Sequence, residues 1–319
     1  MAITTLEAAN LAANNGEFKK AGILMTFAEQ SMLLGATPFV DIAGNAYKWT
    51  RESALGTAAS RPVNGSYTES SGATEEIFES LKIYGGDLDV DNFLIRTGGP
   101  EVRTRHEMLK IKAIAQKIGF DMVRGTVMTL GGVAGDPHGL DGLLPRYGGG
   151  LGTSTVSTAG VNGGQLFNNS NAALSMARLD SAIMAVDRPT HILMAKKQAI
   201  NINTFLRGSA SIQQTKDEFG RIVQTYNGLP ILWADINGDQ AALGFNENNN
   251  TTTSVLVLNL SEDGLHGIQA PGGLDVRDLQ EQNGKPVFRT RAEWYLGMVD
   301  EHPRCVARVY NITDATAVA

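Results

Sequence analysis

Residues 44–91 read GNAYKWTRESALGTAASRPVNGSYTESSGATEEIFESLKIYGGDLDVD, and the fold turns on this stretch. At its start Tyr47 and Trp49 alternate with Lys48 and Thr50. Towards its end Ile77, Leu81 and Ile83 recur on one face, and Leu88 and Val90 alternate with Asp87, Asp89 and Asp91. A period of two with one wet face predicts strands. The residues between, SALGTAASRPVNGSYTESSGAT, are almost all turn and loop chemistry. Two strands joined by so long and polar a connection form a hairpin that cannot bury enough surface to be stable alone. The plain reading is a surface loop. The sharper reading is an arm that folds against a neighbouring copy of the chain.

The rest of the chain is read outward from this hairpin. Residues 38–97 as a whole read as extended. Before them, residues 1–37 read as short helices with loose joints, an arm rather than part of a core. Thr4 and Glu7 have capping-box spacing, and Phe18 to Leu34 is helical in composition with Gly22 and Gly35 as weak points. After the extended region, residues 100–119 predict a long helix. Pro100 and Glu101 suit its first turn, Met108, Ile111, Ala115 and Ile118 form an apolar stripe, and Gly119 is expected to end it. Residues 125–167 are Gly-rich. Helices are expected at 170–187 and 196–207 around a short strand from His191 to Ala195. Beyond lie a hairpin turning at Asn227-Gly228, an apolar strand from Ser254 to Leu260, and strands at 287–299 and 305–312. The order predicts an α+β fold in which the long helix and the final strands share one discontinuous domain.

Composition sets limits on function. The 319 residues are 42% hydrophobic and 19% charged, with a net charge of −6 and a pI near 5.4. No run of five basic residues is present, so tight binding to nucleic acid through phosphates is not expected. The single cysteine, Cys305, excludes an intrachain disulfide, and no apolar run approaches the ~20 residues that span a bilayer. Gly148 to Ser154 is Gly-rich but has no lysine before its hydroxyl residues, so it fails as a phosphate loop. Asp87-x-Asp89-x-Asp91 begins like a calcium loop, then places Asn92 and Gly98 where glycine and glutamate are needed; it reads as the wet face of a strand. The five histidines are scattered, and Asp136, His138 and Asp141 read as turn caps. Cys305 sits in an apolar run and reads as a packed thiol. No catalytic, cofactor-binding or metal-binding residue is therefore assigned.

Several strings, taken in order, resemble tailed-bacteriophage major capsid proteins of the Hong Kong 97 type. They are GNAYKWTRESALG, RPVNGSY and IYGGDLDVDNFLI in the extended region, then HGLDGLL, RPTHILMAKKQAININTFLR with FGRIVQTYNGLPIL, and finally EWYLGMVDEHPRCVARVYNI. The resemblance implies that fold: an N-arm at 1–37, an extended E-loop hairpin with its root at 38–97, a P-domain with a long spine helix at 98–125, an A-domain with mixed sheet and helices at 126–280, and P-domain return strands at 281–319. It also implies hexamers and pentamers that close into an icosahedral virion shell around double-stranded DNA, without sequence-specific binding and without a membrane. Assembly would take place in the host cytoplasm, with a separate scaffolding protein, a portal and, in some members, a decoration protein as partners. Because aromatic residues and arginine dominate interface energies, Tyr47, Trp49, Arg61 and Tyr67 are the candidate interface residues; the alternative for Trp49 is packing at the hairpin root. An encapsulin-like nanocompartment shell and a soluble α+β enzyme are the competing readings.

Overall fold

The computed structural model describes residues 2–15, 17–99, 101–130, 133–149, 151, 156–157, 165–206, 212–216, 222–234, 242–282 and 284–318. In chain order the elements are β1 (Ile3–Thr4), α1 (Thr5–Asn14), α2 (Phe18–Gln30), α3 (Met32–Ala36), β2 (Pro38–Asp41), β3 (Ala46–Ala54), β4 (Ala73–Ser80), β5 (Lys82–Asp91), α4 (Asn92–Gly98), α5 (Glu101–Arg124) and α6 (Leu143–Arg146). They continue with β6 (Leu166–Ala172), α7 (Met176–Ala185), β7 (His191–Met194), α8 (Lys196–Leu206), β8 (Ile212–Lys216), β9 (Ile222–Tyr226), β10 (Leu229–Trp233), β11 (Thr252–Leu258), β12 (Leu265–Gln269), β13 (Asp275–Glu281), β14 (Val287–Asp300) and β15 (Val306–Thr313).

The first sheet is organised by β14, whose 14 residues span three partners. β5 pairs with it antiparallel from Val287 to Leu296. β13 pairs over part of the same length, so β5 and β13 lie on opposite edges, and β12 takes the far end from Leu296 to Asp300. Parallel pairing of β2 with β12 and antiparallel pairing of β1 with β2 complete the sheet. Gly267 in β12 lets the Phe39 ring close in, because a Cβ there would lie 2.3 Å from the ring. Trp294 is buried beside it and donates its Nε1–H to Gln269 at 3.0 Å.

The second sheet runs in the order β6-β15-β11-β7-β10-β9-β8. Its alternation places Val255 and Val257 against α7 and α8, while Leu256 and Leu258 join the core under the first sheet. Every residue of β11 is buried, as the apolar run at this position predicts. Asn227 and Gly228, both at positive φ, make the tight turn between β9 and β10. Arg308 in β15 falls on the inner face. It donates to the carbonyls of Tyr147 (2.6 Å) and Gly149 (2.7 Å), and its Nη2 meets Glu247 at 2.9 Å in a fully buried ion pair.

Several sequence expectations are corrected. The N-terminal helices α1, α2 and α3, read as an arm, are folded onto the body: Ala9, Ile23, Leu24, Phe27, Leu33 and Leu34 are buried in the main core, and Phe27 meets Trp294 edge-on at 5.5 Å. Their apolar spacing is that of core helices. The capping box at Thr4 and Glu7 does form. The long helix passes through Gly119 to Arg124, because Ile118, Met122 and Val123 gain more by burial than one mid-helix glycine costs. Residues 92–97, read as extended, belong to α4, capped by Asp91 accepting from the Phe93 amide at 2.7 Å. Residues 170–172, expected in the helix, instead end the strand β6, and α7 starts at Met176. β12 and β13 pair with β14 in the first sheet, whereas β15 is central in the second.

Candidate assembly hairpin and its root

The hairpin is the two-stranded sheet β3–β4. Tyr47 lies opposite Glu79, Trp49 opposite Ile77 and Arg51 opposite Glu75. One face carries Tyr47, Trp49, Ile77 and Glu79. The other carries Lys48 and Phe78, and Phe78 is 76% exposed. The strands are held to each other by cross-strand ion pairs, Lys48–Glu76 at 2.6 Å and Arg51–Glu75 at 3.2 Å. Residues 55–72 form no strand. Their internal order comes from short polar links: the Gly65 amide donates to the Pro62 carbonyl (3.0 Å), Ser70 Oγ to the Thr57 carbonyl (2.8 Å), and Arg61 Nη1 to the Gly65 carbonyl (3.1 Å).

The four candidate interface residues separate into two pairs. Arg61 and Tyr67 meet at the tip, with the guanidinium 5.2 Å from the ring centroid, and Tyr67 is 63% exposed. Tyr47 and Trp49 are at the root, stacked at 5.8 Å. Trp49 is buried against Ile42, Ile268 and Val299 of its own chain. The Tyr47 hydroxyl donates to Glu301 at 2.7 Å, and burial, followed by that carboxylate, pushes the phenol up to about 12. In the single chain, then, Trp49 occupies the root position that was the alternative reading for it.

Other residues fasten this root, and no local pattern points to them. Glu79 of β4 accepts from Arg146 at the end of α6 (3.0 Å), and the same guanidinium reaches Asp300 at 2.9 Å. Burial holds the Glu79 carboxyl above the usual range, against the pull of Arg146. Nothing in the local sequence joins positions 79, 146 and 300; only the strand order does.

The aspartate row on β5 forms a ladder. Asp89 accepts two bonds from Arg289 (2.6 and 2.7 Å) and Asp87 two from Arg291 (2.6 and 2.8 Å), across the β5–β14 register. These bonds hold both carboxyls below their ordinary range. The matching Arg-x-Arg spacing at 289 and 291 was the available signal. Asp136 accepts from the His138 amide as a turn cap, whereas Asp141 accepts from the Val127 amide, 14 residues earlier, and ties two segments together. Cys305 is buried beside the Tyr147 hydroxyl at 3.6 Å, and desolvation pushes its thiol up to about 12. Gly150 and residues 152–155 of the Gly-rich run lie outside the described residues.

No family model matches the chain, and no curated protein matches it in sequence at a significant level. Solved structures do match. The holo-SrpI encapsulin of Synechococcus elongatus PCC 7942 superposes with a TM-score of 0.63 at 14% identity, over 90% of this chain and 89% of that one. The capsid of cyanophage A-1(L) gives 0.59 at 16% identity, over 90% and 93%. The capsid of a native GTA particle gives 0.57 at 13% identity, over 90% of each chain. The fold is that of the phage capsid proteins. Identities of 13–16% over nine-tenths of each chain mean that architecture, rather than sequence, carries the likeness.

Proposed function

We propose that this chain is a shell-forming structural protein, the major capsid protein of a tailed phage, whose copies close around double-stranded DNA. The observation that carries the reading is the hairpin: two strands with no core of their own, rooted on the body by Trp49 and Glu79, with an exposed tip. Such an element gains a core when it lies on another copy. Identical heterologous contacts whose rotation closes produce a shell, and several modest contacts per subunit retain it by effective concentration. Arg61 and Tyr67 are the proposed tip anchors. Tyr47 and Trp49 serve at the root, keeping the hairpin rigid enough to reach. Scaffolding, portal and decoration proteins, a place in the virion and assembly in the host cytoplasm belong to the same proposal.

An encapsulin-like compartment is the second reading, favoured by the TM-score of 0.63 with an encapsulin. Electron microscopy of the purified protein, followed by nuclease digestion of the particles, tests both. Closed shells enclosing genome-length DNA are expected. Shells enclosing only protein would transfer the proposal to the second reading, and a monodisperse monomer would end both. Replacing Arg61 and Tyr67 with alanine is expected to leave the subunit folded and to reduce shell yield; unchanged particles would remove the anchor role.

A further inference from the structure

At the base of the hairpin one guanidinium meets four acceptors from three stretches of chain. Arg146 donates from Nη2 to Glu79 of β4 and to the Met298 carbonyl (both 3.0 Å), from Nη1 to Asp300 (2.9 Å), and from Nε to the Asp141 carbonyl (2.9 Å). The Arg146 and Glu79 side chains are only 14% and 20% exposed. We infer that Arg146 is a positioning residue that fixes the angle at which the hairpin leaves the body. The inference rests on the reading of the hairpin as the element that reaches a neighbouring copy.

Geometry gives the reason. A guanidinium is planar, so its donors point in fixed directions. With Nε bonded to the Asp141 carbonyl, Nη1 to Asp300 and one Nη2 hydrogen to the Met298 carbonyl, the second Nη2 hydrogen is held in a fixed direction towards the hairpin. Glu79 supplies the acceptor there, and Glu79 lies opposite Tyr47 in the register. Tyr47 is itself bonded to Glu301, the residue after Asp300. Both strands are therefore fastened at a single rung to the end of β14. Beyond that rung the ion pairs of the described hairpin residues, Lys48–Glu76 and Arg51–Glu75, stay within the hairpin. The Trp49 cluster also holds the root, but apolar packing has no direction and resists rotation weakly. Leverage makes the angle matter: a nine-residue strand is ~30 Å long, so ~10° of rotation at the root displaces its far end by ~5 Å.

The test is a distance measurement by electron paramagnetic resonance on dissociated subunits. Spin labels are placed on Thr74→Cys at the far end of β4 and Asp263→Cys on the body; Cys305 is buried and stays unlabelled. The parent chain is expected to give one narrow distance distribution. R146A and E79A are expected to widen it by about twofold or more, as local opening at the root predicts. E79Q, whose amide oxygen still accepts from Nη2, is expected to restore the narrow distribution. E79A also serves where R146A fails to fold, because it leaves the Arg146–Asp300 pair in place. Unchanged widths in both alanine variants, or equal widening in E79Q, would overturn the clamp. Micrographs of the unlabelled parent separate the two claims: widening without shells keeps the clamp and removes the shell reading, whereas shells without widening do the reverse.

Discussion

Phe27→Ala asks whether the N-terminal helices belong to the core. Phe27 is buried to 1% exposure in α2 and meets Trp294 edge-on. Removing a buried ring forfeits roughly 150 Å² of apolar contact, which at about 25 cal/mol per Å² is ~4 kcal/mol. This agrees with the ~3–5 kcal/mol typical of Phe→Ala in cores. Leu24, Leu33 and Phe39 line the same core and close only part of the gap. At the ~2 °C per kcal/mol usual for large domains, the midpoint should fall by about 8 °C. Urea unfolding followed by tryptophan fluorescence reads the loss directly, with the m-value checked for constancy. A loss below about 1 kcal/mol, the size of a typical surface effect, would refute the reasoning and return residues 1–37 to a detachable arm.

Three further outcomes follow from the same contacts. Glu247→Ala leaves Arg308 buried without its carboxylate, and should cost ~3–5 kcal/mol in chemical unfolding; a neutral result would mean that water reaches Arg308. The Cys305 thiol, pushed up to about 12, should react with a disulfide reagent at pH 8 only after unfolding, since roughly one part in ten thousand is thiolate. Glu79 gives a pH dependence whose sign follows from burial. Its carboxyl faces Arg146, Asp300 and Asp141, and is held above the ordinary range when docked. The docked root therefore binds a proton before the free one does, so docking tightens as pH falls from 7 into the window just above the usual carboxylate range. Amide exchange at residues 76–81, corrected for its intrinsic pH dependence, should slow over that window in the parent and not in E79Q.

Local patterns legible in the sequence were those set by neighbouring residues. The two-residue period around Tyr47 and Trp49 located β3, the apolar run at 254–260 located β11, and Asn227-Gly228 located its turn. The capping box at Thr4 was equally local. What the sequence hid was set by tertiary burial. Gly119 reads as a helix stop, yet packing carries α5 five residues past it. The N-terminal helices read as an arm because Phe27 and Leu34 find their partners only once Trp294 and Phe39 are folded beneath them. At the candidate site, the tip and the strands were visible, while the Glu79–Arg146–Asp300 fastening was not. Its members are separated by 67 and 154 positions and share no motif.

The central claim is that another copy of the chain supplies the core that the hairpin lacks. Hydrogen exchange at residues 55–72, compared between assembled particles and dissociated subunits, tests it most directly. Full exchange within seconds is expected in free subunits, with at least about tenfold slowing in the particle as the loop becomes covered. Equal, rapid exchange in both states would show that nothing covers the hairpin and would contradict the account.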